Sequence, residues 1–305
     1  MSKVIASAVY GAPSLATVPA NARQVSPLVP GADVLEDTPD ASLDSMVIAA
    51  PPGAIERRYV LAQALRALTV GGELTAVAPK DKGGLRLRKE LEAFGCTVAE
   101  QALRHQRLCQ CVRPATPIGL AAAIAAGGPQ TPARLGICSQ PGVFSWDRPD
   151  PGSVILARHL GGLAGAGADL GCGVGVLALA VLATAPKVTA LALVDIDRRA
   201  IEAARRNVTG PRVSFLQADL REPAPALSNL DFVVMNPPFH DGGEEDRGLG
   251  QAFVRRAAAS LRRGGVLRLV ANIGLPYEAT LAGAFDQLRR LEQSGGYKVL
   301  EGRRT

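Results

Sequence analysis

No cysteine pair in this 305-residue chain has the spacing of a metal knuckle. There are five cysteines, an odd number. The closest two, Cys109 and Cys111 in RLCQCVR, have no CxxC companion and no histidine cluster beside them. On a strand both thiols would lie on one face. They read as buried thiols in a reducing compartment, and no metal is expected. Long apolar runs are missing as well. The most apolar stretch, 170–186, is broken by glycines and closed by a proline, short of what a spanning helix needs. The first 22 residues carry one lysine and an apolar run interrupted by Ser, Tyr, Gly and Pro. That pattern reads as a first strand and a loop, not as an export signal. The expectation is a cytoplasmic protein without a membrane partner. Lysine is scarce beside arginine, and the net charge is +6. Such a balance suits an anionic partner such as nucleic acid, and suits solubility equally. Glycine (33) and proline (22) exceed ordinary usage without any collagen-like repeat.

What is present begins with punctuation. Residues 114–141, PATPIGLAAAIAAGGPQTPARLGICSQP, are rich in Ala, Gly and Pro and nearly free of charge. They read as a connection holding one short element. The expected organisation is an N-terminal domain over 1–115, a linker over 116–140 and a C-terminal domain over 141–305. The C-terminal part alternates strand and helix signals. A helix is expected over 152–163, another over 176–183, a buried strand over 188–194, and a helix in RRAIEAARRN. Strands follow in RVSFLQADL and LDFVVMNPPF, then a helix ended by Gly264-Gly265 and a strand in GVLRLVAN. Such alternation predicts a parallel sheet with crossover helices. The tail predicts an antiparallel pair joined near Gly295-Gly296.

One construction occurs twice. Pro51-Pro52 in DSMVIAAPPGA lies over Pro237-Pro238 in LDFVVMNPPFHDGG, each after an apolar run. Downstream, LRALTVGGELTAVA resembles AASLRRGGVLRLVA. The second copy is seven residues longer between Pro-Pro and Gly-Gly, which matches the loop HDGGEED. Two related α/β domains are expected, the first a degraded copy. It lacks an acid–glycine motif and has Ala50 where the second copy has Asn236.

That motif is GADLGCGVG: Asp169 closes a strand, and Gly171, Gly173 and Gly175 follow. Glycines allow a tight turn and let a ligand approach the backbone. A GxGxG pattern alone fits a nicotinamide, a flavin or nothing. Two further acids narrow it. Asp195 ends the next strand, where a carboxylate can accept both ribose hydroxyls. Asp219 follows the third strand, where an acid can accept from an adenine amino group. Asp197 reads as a helix N-cap. Asn236-Pro237-Pro238-Phe239 suits a planar amine. An exocyclic amino group has its lone pair delocalised into the ring. Two acceptors, the Asn236 side-chain carbonyl and the Pro237 carbonyl, would draw it toward sp³ geometry. Proline has a fixed φ and no N–H, so it holds those carbonyls in place. Phe239 offers a stacking face worth about 1–3 kcal/mol. His240 contacts the base or caps the loop; the sequence leaves both open.

The acid–glycine set resembles the class I S-adenosylmethionine-dependent methyltransferases. The resemblance implies a Rossmann-like α/β fold with a seven-stranded, mostly parallel sheet and an antiparallel C-terminal strand, preceded by a degenerate copy of the same fold. It implies S-adenosyl-L-methionine as cofactor, with Asp169, Gly171 and Gly173 at the methionine portion, Asp195 at the ribose and Asp219 at the adenine. Cys172, Ile196, Leu220 and Asn236 would stand beside them. NPPFHDG together with PGVFSWDRPDPGS (141–153) and LRLVANIGLPY (267–277) is similar to the bacterial ribosomal RNA guanine-N2 methyltransferases, the small-subunit (16S) branch above all. This implies catalytic Asn236, Pro237 and Phe239, and substrate contacts from Phe239, His240 and Phe144. It places Ser145 and Asp150 at the pocket edge, although the prolines of WDRPDP depart from the family pattern there. The partner implied is ribosomal RNA or the 30S subunit; the sequence leaves the oligomeric state open, with a monomer favoured. Residues 1–115 would bind RNA or hold the fold, through PKDKGGLRLRK (79–89) and LRHQR (103–107). Methylation of 23S guanine, DNA adenine or protein glutamine stays open as an alternative, as does a non-catalytic rRNA-binding assembly factor.

Overall fold

Both halves of the chain fold around sheets in a computed structural model that describes residues 6–224, 226–238, 240–241, 244–245, 247–275 and 277–304. The chain divides into two units, Met1–Pro129 and Gln130–Thr305. The division falls inside the stretch expected to be a linker. Part of that stretch, Leu120–Gly127, is a helix belonging to the first unit.

The first unit contains β1 (Ser7–Tyr10), β2 (Arg23–Gln24), β3 (Leu43–Ala49), α1 (Ala54–Ala67), β4 (Leu68–Pro79), α2 (Leu85–Glu92), β5 (Ala99–Leu103), β6 (Gln106–Val112) and α3 (Leu120–Gly127). Its sheet order is β2-β1-β3-β4-β6-β5. α1 starts just past Pro51-Pro52, which cannot donate to a helix ladder, and then runs on Ala- and Leu-rich helix formers. All three helices share one core with Met46 and Ile48 of β3, Leu74 and Ala76 of β4, and Cys109 and Cys111 of β6. The two thiols thus share a face, and all five cysteines are free. Alternate residues point the other way. Ser45, Val47, Glu73, Thr75 and Gln110 line a hollow of about 390 Å³ crossed by the loop residues Leu15 to Thr17.

The second unit contains α4 (Pro151–Ala157), β7 (Gly165–Leu170), α5 (Val176–Thr184), β8 (Val188–Asp195), α6 (Arg198–Asn207), β9 (Val213–Gln217), β10 (Leu230–Met235), β11 (His240–Asp241), β12 (Glu244–Glu245), α7 (Arg247–Ser260), β13 (Leu261–Asn272), α8 (Tyr277–Ala282), β14 (Gln287–Ser294) and β15 (Tyr297–Arg303). Its main sheet has the order β14-β15-β13-β10-β7-β8-β9. β15 runs antiparallel to both neighbours, and the other strand pairs of this sheet are parallel. The two faces of β10 go to different cores. Phe232 and Val234 meet α4, α5 and α6, whereas Val233 and Met235 meet α7 and α8. Burial on both faces explains why these strands read as unbroken apolar runs. Each large side chain so buried contributes about 1.5–3 kcal/mol. The helix expected over 152–163 stops at Ala157. Gly161 and Gly162, the latter at φ +79°, turn the chain into β7.

The two units are copies. β2-β1-β3-β4-β6-β5 repeats β8-β7-β10-β13-β15-β14 in order and in direction. Even an irregularity recurs. Leu43 pairs with Leu68 and Ser45 with Glu73; Leu230 pairs with Leu261 and Phe232 with Val266. The slip accommodates Gly71 in one copy and Gly264 in the other, both at φ +78°. Among the described residues the first copy has no counterpart of β9, and loops stand where α5 and α6 would lie.

Candidate active site

Three parallel strands, β7, β8 and β10, end side by side, and their C-terminal ends place Asp169, Asp195 and Asn236 in one region. This is where open α/β sheets bind ligands. From β7 the chain enters the glycine turn. Gly171 N and Cys172 N both donate to Val194 O (2.8 and 3.0 Å), and Gly175 N donates to Cys172 O (2.9 Å). α5 starts directly afterwards. Gly173 adopts φ +51°, and a Cβ placed there would meet nothing within 4 Å. Backbone conformation and open space at that position both suit a ligand lying against the main chain.

Asp169 lies under this turn, fully buried on the α5 side of the sheet, opposite Val234 in register. Ala178 N in the first turn of α5 is close enough to favour its charged form, yet neither carboxylate oxygen completes a hydrogen bond among the described residues. Burial, and then the charge of Asp195, push the carboxyl up to about 8. Burial likewise pushes Asp195 up to about 6, against hydrogen bonds that favour its charge. Those bonds fix the side chain: Gly173 N donates to Oδ2 (2.8 Å) and Asp197 N to Oδ1 (2.9 Å). Each oxygen retains a second lone pair. Asp197 caps α6, accepting from Arg199 N at 2.9 Å.

Asn236 and Pro237 follow β10. The Asn236 amide nitrogen donates to Asp150 Oδ2 (2.8 Å) and to Ser153 Oγ (2.9 Å). Asp150 is the N-cap of α4 and accepts from Ser153 N at 2.7 Å, with Pro151 in the first turn. Asn236, Asp150 and Ser153 line one cleft with Gly171, Cys172, Gly173 and the exposed Phe144. Phe144 is 61% exposed, and its neighbour Ser145 is held at φ +52°.

Other predicted residues are placed differently. Asp219 follows β9, but Arg221 grips its carboxylate through Nε (2.9 and 3.0 Å) and Nη2 (2.7 Å), which lowers its pKa. Leu220 turns its side chain into the core with Phe253 and Val254. Ile196 is half-buried, and its carbonyl accepts from Gln217 Nε2. Phe239 lies outside the described residues. His240 is described as the start of β11, paired with Glu245. His159, incidental by sequence, contacts Glu292 at 2.7 Å.

Two side chains at the site were not singled out from sequence. Ser153 is one; its signal is the capping pattern Asp150-Pro151-Gly152-Ser153. Asn207 is the other, and no motif marks it. It clasps Cys138 through both backbone groups (2.8 Å each), and its amide also reaches Val174 O at 2.9 Å, beside the glycine turn.

A buried carboxylate with no partner among the described residues, an open glycine cradle and a second acid on the next strand suit a ligand that joins an ammonium group to a ribose. S-adenosylmethionine is such a ligand, and these residues fit it. The family model described as methyltransferase small domain matches residues 134–301. A ribosomal RNA small subunit methyltransferase C of Pseudomonas putida is 31% identical over 88% of this chain and 81% of its own length. That of Pseudomonas paraeruginosa is 37% identical over 81% of this chain and 75% of its own. Among solved structures, the T. thermophilus 16S rRNA N2 G1207 methyltransferase, in complex with AdoMet and guanosine, superposes with a TM-score of 0.74. It is 28% identical, covering 89% of this chain and 76% of that one. On the strength of the matched domain, the relatives aligned along most of their length and the shared architecture, the chain belongs to the methyltransferase small domain family, among the ribosomal RNA small subunit methyltransferases C.

Proposed function

We propose that this chain transfers a methyl group from S-adenosylmethionine to the exocyclic N2 of a guanine in 16S ribosomal RNA. The observation that carries the reading is the state of Asn236. Its NH₂ is engaged by Asp150 and Ser153, which leaves its carbonyl as the side chain's acceptor on a cleft shared with the glycine turn. An acceptor there, with the Pro237 carbonyl next to it, receives both hydrogens of an aromatic amine. The amine nitrogen regains its lone pair and is aligned for in-line attack. S-adenosylmethionine supplies a methyl group made electrophilic by a positive sulfur. The methylated nitrogen carries positive charge and becomes acidic, so its proton leaves to water without a strong base. When the cofactor is bound, Asp195 would hold the ribose through its remaining lone pairs, Asp169 would supply the negative charge for the ammonium, and Gly171 to Gly173 would provide the surface. Phe144, and Phe239 by its sequence position, give the base flat faces.

The base must leave its stack to reach the cleft, at a cost of a few kcal/mol. Phosphate binding by the first unit helps to offset this. Its two basic stretches meet: Lys80 N donates to His105 O at 2.8 Å, which brings Lys80 and Arg104 to one end of the sheet, and Arg86 follows in the first turn of α2. The protein works in the cytoplasm, where ribosomal subunits are assembled. No helix of the described residues is long and apolar enough to cross a membrane.

Labelled methyl transfer to 16S rRNA, 30S subunits, 23S rRNA, DNA and release factor tests the substrate. Label in N2-methylguanine of 16S rRNA is the expected result; label confined to adenine or to protein overturns the reading. Replacing Lys80, Arg86 and Arg104 together by Ala is expected to flatten the salt dependence of RNA binding, by about one unit of slope for each phosphate no longer neutralised.

A further inference from the structure

We infer that Asp150 is a positioning residue for the methyl transfer, acting through Asn236; the inference rests on the site reading above. An asparagine amide has two ends of similar shape, and the chemistry needs its oxygen toward the substrate amine. A carboxylate can only accept. With Asp150 Oδ2 at 2.8 Å from the amide nitrogen, the flipped amide would set oxygen against oxygen. Ser153 Oγ takes the second amide hydrogen at 2.9 Å, so the nitrogen is saturated and the carbonyl is left to the cleft.

Asp150 is itself immobilised. It is the N-cap of α4, its side chain accepts from Ser153 N at 2.7 Å, and its carbonyl accepts from Val154 N at 3.0 Å. The clamp therefore ties the Pro-Pro turn to the first turn of a helix 86 positions away. A second effect follows from charge. A hydrogen bond to an ionised acceptor is stronger than a neutral one and polarises the donor group. Electron density drawn onto the Asn236 carbonyl makes it a better acceptor as the amine nitrogen becomes positive. The role inferred for the carboxylate runs through Asn236: it sets the direction and strength of the acceptor.

The test uses the full chain, 16S rRNA and labelled S-adenosylmethionine. Asp150→Ser keeps a good helix cap but cannot reach Asn236. Asp150→Asn keeps the cap and an acceptor but loses the charge. The expected order of kcat is wild type, then Asp150→Asn, then Asp150→Ser, the last reduced on the order of 10²-fold, with the Kd for S-adenosylmethionine unchanged. The side-chain amide resonances of Asn236 should shift and exchange faster with water in Asp150→Ser. Against an Asn236→Ala background, Asp150→Ser should cost nothing more. A normal kcat in Asp150→Ser beside an inactive Asn236→Ala overturns this inference and leaves the site reading standing. So does an equal loss from Asp150→Ser in both backgrounds. Full activity in Asn236→Ala brings down both.

Discussion

The two Pro-Pro turns follow equivalent strands and have opposite fates. After β10, Asn236 faces a cleft, and its amide is tied back to Asp150 and Ser153. After β3 the corresponding acceptors are already taken. Arg57 Nη1 donates to Pro51 O (3.1 Å) and Pro52 O (2.8 Å), while Nε and Nη2 each meet Glu90 at 2.7 Å. The guanidinium is 1% exposed, and Gly83, at φ +101°, lies so close over it that a Cβ would overlap Nη1. In the first unit, then, an internal cation fills the place where, on the reading proposed above, the second unit would receive an amine. Buried carbonyls need N–H donors; in the first unit Arg57 supplies them from within the fold.

The largest test of this contrast is Arg57→Ala. It strands Glu90 and two carbonyls in a buried place, and breaking such a pair costs about 3–5 kcal/mol. Urea unfolding should show that loss, while methylation per folded molecule persists. Loss of activity with unchanged stability would mean that the first turn takes part in the reaction. The mirror experiment is Asn236→Ala in the second turn. There kcat should fall on the order of 10²–10³-fold, as for removal of one hydrogen-bonding group at a reacting centre, with stability little changed by urea.

The next contrast concerns charge. Among the described residues, only the second unit buries a carboxyl with no hydrogen-bond partner, Asp169, raised to about 8. Because the folded value lies above the ordinary 3.8, the free protein loses stability as pH climbs from about 4 toward 8, where the carboxyl must ionise while buried. A cationic ligand needs it ionised. Affinity for S-adenosylmethionine should therefore rise as pH approaches 8, by up to about tenfold per unit. Calorimetry across pH 6 to 9 measures this; Asp169→Asn should bind weakly, lose the slope and melt at a higher temperature when free at pH 8. A slope unchanged by Asp169→Asn would assign it to another group. The smallest effect is expected from Arg221→Ala. The pair with Asp219 is partly exposed and worth at most about 1 kcal/mol. Releasing Asp219 should tighten S-adenosylmethionine binding a few-fold if that carboxylate reaches the adenine, and change nothing if it does not.

Much of this was legible in the residues because it is local. The glycine turn, the acids at strand ends, the Asp197 cap, the β14–β15 hairpin and the recurrence of Pro-Pro and Gly-Gly are short-range patterns, and the structure has each of them. What stayed hidden is long-range or competitive. Arg57 is separated from Glu90 by a helix and a strand, and Asn236 from Asp150 by most of a domain; neither pairing has a spacing rule. Asp219 reads as a free acid until Arg221, two residues on, is seen wrapped around it. The missing counterparts of α5 and α6 were invisible too, because an absent helix leaves a loop that resembles any other.

The bare side of the first sheet has one more consequence. Where the second unit places Phe232 and Val234 under helices, the first places Ser45, Thr75 and Gln110 against a thin loop. A sheet pruned of one flanking layer has to become wettable on that side or stick to its neighbours. The hydroxyls and amides of Ser45, Thr75 and Gln110, set around Val47, give that side the wettable lining such a sheet needs.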